Sequence, residues 1–291
     1  MYEKLDTCPV CQFTSFKNYL ITADYHLTQE SFALVQCQKC EHVFTNPRPS
    51  KENISRFYES PDYISHTSKS QGLISPLYKI ARDFNLRWKK TLIEHYQQVG
   101  TLLDYGAGTG HFLKFINDIQ GWSAQGIEPA EKARDFAKDL GLTVHNELGS
   151  NNKQKFDVIT AWHVIEHVHE LRSTIKAIRK RMHDTSTFFM AVPNPQSFDA
   201  KHYGEYWAGY DVPRHLHHFT RSSVEKLLVA SKLKLAKVIP MKLDAFYVSM
   251  LSEKYQKKSA PLINAIKVGL RSNANGKRNG QYSSLVYIIT K

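Results

Sequence analysis

Thr101-Leu-Leu-Asp-Tyr-Gly-Ala-Gly-Thr-Gly110 decides the fold. Its first five residues read as a short β-strand, and they run into glycines at every second position. Glycine lets the backbone turn sharply and approach a ligand with no Cβ in the way. Downstream, residues 112–119 read as a helix, 122–127 as a strand and 130–140 as a helix. Residues 142–144 and 156–161 read as strands. Leu171, Ile175, Ile178 and Met182 fall on one helix face, and 187–192 is a strand closed by Pro193. Ser222-x-x-Glu225 has the form of a capping box opening a helix. Residues 233–240 and 281–290 close the set as strands. This alternation predicts an α/β, doubly wound, largely parallel sheet with helices on both faces. Ligands of such sheets bind beyond the carboxyl ends of the strands. The informative loops are therefore those after Tyr105, Ile127, Val144, Ala161 and Val192.

The glycine loop is G-x-G-x-G, and His111 stands where a dinucleotide-binding loop would place its third glycine. That spacing disfavours a nicotinamide oxidoreductase. Glu128, at the end of the next strand, can accept hydrogen bonds from both hydroxyls of a ribose. Leu102-Leu-Asp-Tyr-Gly-Ala-Gly-Thr-Gly110, Gly126-Ile-Glu-Pro129 and Phe156-Asp-Val-Ile-Thr-Ala-Trp-His-Val-Ile-Glu-His167 together resemble a class I S-adenosylmethionine-dependent methyltransferase. The resemblance implies a seven-stranded Rossmann-like sheet whose last strand, over residues 281–290, is antiparallel. It implies S-adenosylmethionine as cofactor, with Gly106, Gly108 and Gly110 along its methionine and ribose parts. Asp104 would hold the amino group, directly or through water, and Glu128 the ribose hydroxyls. Adenine would lie near Asn146 and Glu147, and Ala161, Trp162 and His163 would line the cofactor on its other side.

The four cysteines all precede this region, as Cys8-Pro-Val-Cys11 and Cys37-Gln-Lys-Cys40. Two C-x2-C knuckles are the pattern of a four-thiolate zinc ribbon, whose closed tetrahedral shell makes the ion structural. Residues 16–36, rich in Tyr, Ile, Thr and Phe, read as short strands between them. The module is expected to end at Thr45-Asn-Pro-Arg-Pro-Ser50, whose prolines resist continuation. Ser50 is expected to cap a short helix through Ile54 and Phe57. A loop follows over 60–72, then an amphipathic helix with Leu77, Ala81, Phe84, Trp88 and Leu92 on one face, ending near Gly100. The expected organisation is a zinc-ribbon-like module at 1–50, a helical linker at 51–99 and a methyltransferase domain at 100–291. The segment Cys37-Gln-Lys-Cys-Glu-His-Val-Phe-Thr-Asn-Pro-Arg-Pro49 is similar to the lead segment of bacterial methyltransferases acting on small molecules, some of them sugar C-methyltransferases.

Methyl transfer is an in-line displacement at a sulfonium carbon, so the protein positions the acceptor and excludes water. A hydroxyl, amine or acidic carbon is helped by a general base. His163, Glu166 and His167 follow the strand at 156–161. Asp211, His215, His217 and His218 follow the next, with Tyr203, Tyr206, Trp207 and Tyr210 nearby. His167, Glu166 and His215 are the candidate catalytic residues. The aromatics suit either a wall against the acceptor or a cap completing the core. His163-Val-Ile-Glu-His167 also fits H-x-x-E-H, an inverted zinc-protease pattern. That pattern belongs inside a helix, and here it follows a strand, so no catalytic zinc is expected there; the resemblance to some quinone O-methyltransferases with a Glu-His pair at this place leaves a divalent ion on Glu166 and His167 open, and none is predicted.

The chain has 291 residues, 42% hydrophobic and 12% aromatic, which excludes a disordered chain. It has no apolar run of the roughly 18 residues a membrane helix needs. Its start has no apolar signal region, so a soluble, cytoplasmic protein is expected. The net charge is +12. Residues 231–291 carry twelve Lys and Arg against Asp244 and Glu253, a net of +10, which leaves +2 for the rest. The basic excess thus sits around a helical insertion at about 245–280. It reads as a solvated face or as a patch for an anionic or carrier-linked acceptor. The expected partner is a small-molecule substrate. The alternatives are an RNA methyltransferase, disfavoured by the absence of an Asn/Asp-Pro-Pro-aromatic signature after residue 161, and a non-catalytic cofactor-binding module.

Overall fold

The computed structural model describes residues 1–58, 76–149 and 153–291, with the side chains of 76–81 excepted. The loop expected over 60–72 and the side chains of Leu77 and Ala81 lie outside the described residues. The chain falls into two compact units. One comprises Met1–Tyr58, His163–Ile175 and Met190–Ile288; the other comprises Glu59–Trp162, Lys176–Phe189 and Ile289–Lys291.

At the amino terminus β1 (Tyr2–Glu3) pairs antiparallel with β5 (Arg48–Pro49), Tyr2 opposite Pro49. The prolines therefore do not end pairing as expected. Pro49 lacks only an N–H, which a short edge ladder tolerates. Strands β2 (Phe16–Ala23), β3 (Ser31–Cys37) and β4 (Val43–Thr45) form an antiparallel meander. The segment Ile54–Phe57 is a single 3-10 turn whose N-cap position is Asn53, not Ser50, and it has no side-chain capping bond. Ser50 instead takes the Asn53 amide: Asn53 Nδ2 donates to Ser50 Oγ at 2.8 Å.

Helix α1 (Pro76–Glu94) leads into β6 (Gly100–Tyr105), α2 (His111–Asn117), β7 (Trp122–Ile127), α3 (Glu131–Asp139), β8 (Val144–His145) and β9 (Phe156–Trp162). Phe84 is exposed, Trp88 meets the Trp162 ring edge-on, and Ile93 is the fully buried residue among the described side chains of α1. Then come α4 (Leu171–Lys180), β10 (Met182–Pro193), α5 (Phe198–Tyr203), β11 (His217–His218), α6 (Arg221–Ala230), β12 (Lys234–Pro240), α7 (Asp244–Tyr255), α8 (Pro261–Asn279) and β13 (Ser284–Thr290). Leu171, Ile175 and Ile178 are buried along α4, but Met182 opens β10. Its position four residues after Ile178 mimics a helical repeat across the helix end. The capping box of α6 is Thr220–Ser223, two residues before the expected Ser222–Glu225, and Glu225 accepts from Arg221 Nε at 3.0 Å instead.

The seven-stranded sheet has the order β12-β13-β10-β9-β6-β7-β8, with the last strand antiparallel. Strands β6, β7, β8 and β9 are parallel, Asp104 lying opposite Thr160 on one side and Gly126 on the other. Residues 146–149 and 153–155, the described part of the β8–β9 connection, form no helix. A cavity of about 250 Å³ remains over Leu103, Gln125 and Ile127. The expected helices on both faces are thus incomplete here. A second, four-stranded sheet has the order β11-β4-β3-β2, His217 opposite Phe44 and His218 opposite Val43. Its core gathers Phe32, Leu34, Val43 and Phe57 with Tyr203, Trp207, Tyr210 and Val212. The expected basic insertion is a helix pair. Gly269 of α8 sits against Phe246 of α7, where an added Cβ would meet the ring at 2.5 Å. Among the described residues no helix is long and apolar enough to cross a membrane.

Candidate active site

The glycine loop has the predicted build. Gly106, Gly108 and Gly110 have φ of 83°, 54° and 81°, the left-handed region that side chains rarely adopt. The three are not equivalent. A Cβ on Gly110 would meet Leu142 Cδ1 at 2.5 Å, whereas one on Gly108 would meet nothing within 4 Å. Gly110 is a packing glycine, and Gly108 faces open space. Glu128 closes the loop from the next strand. The Gly108 N–H donates to Glu128 Oε2 at 2.8 Å and the Ala130 N–H to Oε1 at 2.9 Å. A carboxylate has about four acceptor directions, so two remain for a diol.

Asp104 is buried near the carboxyl end of β6 and accepts from Thr160 Oγ1 at 2.6 Å. Burial pushes its carboxyl up to about 6, against the lowering effect of the Thr160 hydrogen bond. Thr160 had no motif to mark it; it is found only through the β6–β9 register. Ala161 is buried in β9. Asn146 and Glu147 line the cavity of about 250 Å³ together with His145 and Phe156.

The chain leaves β9 at Trp162, and His163 takes φ 57° while its N–H donates to Ala191 O at 3.0 Å. That turn throws the His163 ring between two carboxylates. Nε2 lies 3.0 Å from Asp244 Oδ2, and Nδ1 lies 3.3 Å from Glu166 Oε1. Burial lowers the pKa of the ring, but the hydrogen bonds and charges of Asp244 and Glu166 outweigh it and raise the value to about 10. His163 is thus an imidazolium in an ion pair. Asp244 was missed as a site residue, because it stands 81 positions away at the start of α7 with no local motif.

Glu166 and His167 occupy a 3-10 turn, Ile165–His167. Glu166 is fully buried, and its Oε1 is ion-paired with the His163 ring at 3.3 Å. Burial raises its carboxyl pKa, but His163, His215 and His167 together hold it below the usual value. His167 Nδ1 lies 3.0 Å from Arg214 O and 3.1 Å from the Tyr58 hydroxyl. Burial and the nearby His215 lower its pKa to about 4, so the ring is neutral. The His215 ring meets that of His167 edge to face, centroids 4.6 Å apart, and its Nδ1 is 2.9 Å from Gly209 O. The ligand atoms of Glu166, His167 and His215 all lie within 4.8 Å of one another. Arg214 braces the segment, bonding Asp211 through Nε at 3.0 Å and Asp24 at 2.8 Å. Asp211 is therefore held at about 2 despite its burial, and is a structural counter-ion.

The other expected loop groups go elsewhere. His217 and His218 form β11; His217 Nδ1 lies 3.2 Å from His42 Nε2, and its Nε2 lies 2.9 Å from Val168 O. Tyr203, Trp207 and Tyr210 are buried core residues, and Tyr206 lies against Tyr25 with centroids 5.0 Å apart.

The cysteines converge. Cys8 Sγ is 3.4 Å from Cys40 Sγ, and Cys11 Sγ is 3.5 Å from Cys37 Sγ, all free thiols. The two knuckles repeat one geometry. The Gln12 N–H donates to Cys8 O and the Glu41 N–H to Cys37 O, with φ of 61° and 60° at the donors.

Residues 78–238, more than half of the chain, match the model of a family described as methyltransferase domain, and the chain belongs to that family. It is a methyltransferase of the class I, S-adenosylmethionine-dependent type. No curated protein sequence matches it. Among solved structures it resembles the plantazolicin methyltransferase BpumL in complex with SAH, at 16% identity over 81% of this chain and 93% of that one, TM-score 0.51. A SAM-dependent methyltransferase from Archaeoglobus fulgidus matches at 17% identity over 72% and 94%, TM-score 0.50. An O-methyltransferase from a trans-AT PKS multienzyme of Brevibacillus brevis matches at 14% identity over 78% of each chain, TM-score 0.50. At these identities the likeness is one of fold.

Proposed function

We propose that the chain transfers a methyl group from S-adenosylmethionine to an oxygen or carbon of a small-molecule acceptor. The observation that carries the reading is the open Gly108 tied by its N–H to Glu128. This leaves a Cβ-free surface beside a carboxylate with acceptor directions to spare, as a ribose-bearing cofactor requires. The cofactor, when bound, supplies an electrophilic sulfonium methyl. Glu128 accepts from the ribose hydroxyls, Gly106 and Gly108 give room for the chain of the cofactor, and Asp104 holds its ammonium. Ala161 and His163 belong to the same assignment, His163 through its backbone because its ring is committed to Asp244 and Glu166. Glu166, His167 and His215 handle the acceptor, the neutral His167 ring offering a lone pair to its proton or its oxygen.

Calorimetry tests the reading. Folded protein binds S-adenosylmethionine and not NAD, and Gly108→Phe, which fills the open space, abolishes the binding. Absence of binding by folded wild-type protein refutes methyl transfer, and undiminished binding by Gly108→Phe refutes the loop assignment.

We further propose that Cys8, Cys11, Cys37 and Cys40 hold one structural zinc ion. The support is the convergence of four sulfurs from two matching knuckles. Four thiolates complete a tetrahedral shell with no place for water. Such a site belongs to the reducing cytoplasm, where thiols persist.

A further inference from the structure

We propose that the outward face of the α7–α8 pair docks the protein reversibly on an anionic lipid bilayer. The docking claim stands apart from the methyl-transfer reading above.

The first observation is that α8 is inverted for a helix that only has to cover a core. A surface helix ordinarily turns its large apolar side chains inward. The inward face of α8 is Ala265, Val268, Gly269, Ser272 and Gly276, mostly small residues. Leu262, Ile263, Ile266 and Leu270 are instead between 46% and 62% exposed. These four fall within about 100° of the helix circumference. Packing fixes that orientation. A Cβ added to Gly269 would meet Phe246 Cδ1 at 2.5 Å, and one on Gly276 would meet Tyr282 Cδ1 at 2.7 Å. Turning α8 to hide its leucines and isoleucines would drive larger side chains into these rings.

The second observation is charge. Lys267, Arg271 and Arg278 follow within the next ~80° of the circumference, along one border of the apolar arc. Lys254 lies in the last turn of α7, and Lys257 and Lys258 are exposed in the link between the helices. The acids of the pair are Asp244 and Glu253, and both are engaged elsewhere. Asp244 holds His163 at 3.0 Å. Glu253 is buried and accepts from the Tyr203 hydroxyl at 3.0 Å and from Asn264 Nδ2 at 3.2 Å. The outward face is therefore apolar and cationic, with its own carboxylates withdrawn.

That is the make-up of a helix lying in the headgroup layer. The leucines and isoleucines enter the acyl boundary, and Lys and Arg reach the lipid phosphates while their aliphatic stems stay with the apolar row. A second copy of this chain fits less well, because an isologous contact presses the same cations together. The apolar row is also convex, and a fluid bilayer receives it without a matching groove. Among the described residues no helix can cross the membrane, so the association is peripheral and sensitive to salt.

The full chain is pelleted with vesicles of equimolar phosphatidylglycerol and phosphatidylcholine, and with vesicles of phosphatidylcholine alone, circular dichroism confirming the fold. Wild-type protein pellets with the anionic vesicles and not with the neutral ones, and added salt weakens the partition. Leu262→Ser/Ile266→Ser and, separately, Lys267→Gln/Arg271→Gln each lower it roughly tenfold or more. All four side chains are exposed, so both variants are expected to fold. If one does not, the other variant and the lipid and salt comparisons on wild-type protein carry the test. No pelleting of folded wild-type protein with anionic vesicles, equal pelleting with neutral ones, or binding that either folded variant keeps in full overturns the docking face. Sedimentation velocity without lipid gives a mass that Leu262→Ser/Ile266→Ser leaves unchanged. A dimer that this variant dissociates assigns the face to a second copy and overturns the proposal as well.

Discussion

Gly108 and Gly110 carry the same letter and opposite physics. At Gly110 both the φ of 81° and the contact with Leu142 oppose a side chain. Gly110→Ala is therefore expected to cost about 1–3 kcal/mol of stability, read from urea unfolding. A cost near zero would show that α3 and its following loop yield freely. Asp104 makes a second prediction at this scale. Its carboxyl is raised to about 6 by burial, so between the ordinary Asp value and 6 the folded chain holds a proton that the unfolded chain has lost. The stability it contributes falls as pH rises through that window. The ammonium of the cofactor needs the charged form, so affinity moves the other way. S-Adenosylmethionine binding is expected to weaken about tenfold from pH 7 to pH 5. Asp104→Asn should bind weakly with a flat pH profile; a wild-type profile already flat would remove Asp104 from the cofactor. The glycines, Asp104 and Glu128 were legible because one strand, one loop and the end of the next strand suffice to place them. The difference between Gly108 and Gly110 was not, because Leu142 reaches Gly110 only through packing.

The turn after β9 is one short element that sends consecutive residues to different tasks. His163, in the left-handed region, pairs with Asp244 and Glu166, while His167 Nδ1 donates to the Arg214 carbonyl. The raised value of His163 means that its ion pair is fully formed below the ordinary histidine range and is lost as pH rises through about 10. Asp244→Asn removes one of the two carboxylates. It is expected to lower the His163 pKa measured by proton NMR and to bring the alkaline loss of stability to lower pH. An unchanged titration would show that the pair does not form in solution. Elements built on a local period were read well: Trp122–Ile127 matches residue for residue. Errors gathered at element ends. Met182 kept the helical phase of α4 across a turn, and Thr220 took the capping role read for Ser222, with Ser223 as its reciprocal partner.

Across the whole molecule, the cysteine knuckles stand in a unit that also contains residues 163–175 and 190–288. Strand β11 closes the edge of the cysteine-bearing sheet through β4, and Arg172 donates to Val10 O at 2.7 Å within the same unit. Metal analysis is expected to find one zinc ion bound by thiolates, and Cys11→Ser to release it with a fall in melting temperature. A folded, equally stable protein without zinc would refute the structural role. The charge is also uneven: +10 of the +12 lies after residue 230, with Lys254, Lys267, Arg271, Lys277 and Arg278 on the α7–α8 pair.

The sequence alone determined the βα alternation, the glycine loop with its acidic partner and the thiol quartet, because each rests on neighbours in the chain or on a short spacing. Only the tertiary structure decided what the histidines do. Packing, against the cost of chain entropy, brought Asp244 to His163, Gly209 and Arg214 carbonyls to His215 and His167, and β4 to His217. Proton position, burial and lone-pair direction belong to these long-range contacts, and no local pattern encodes them.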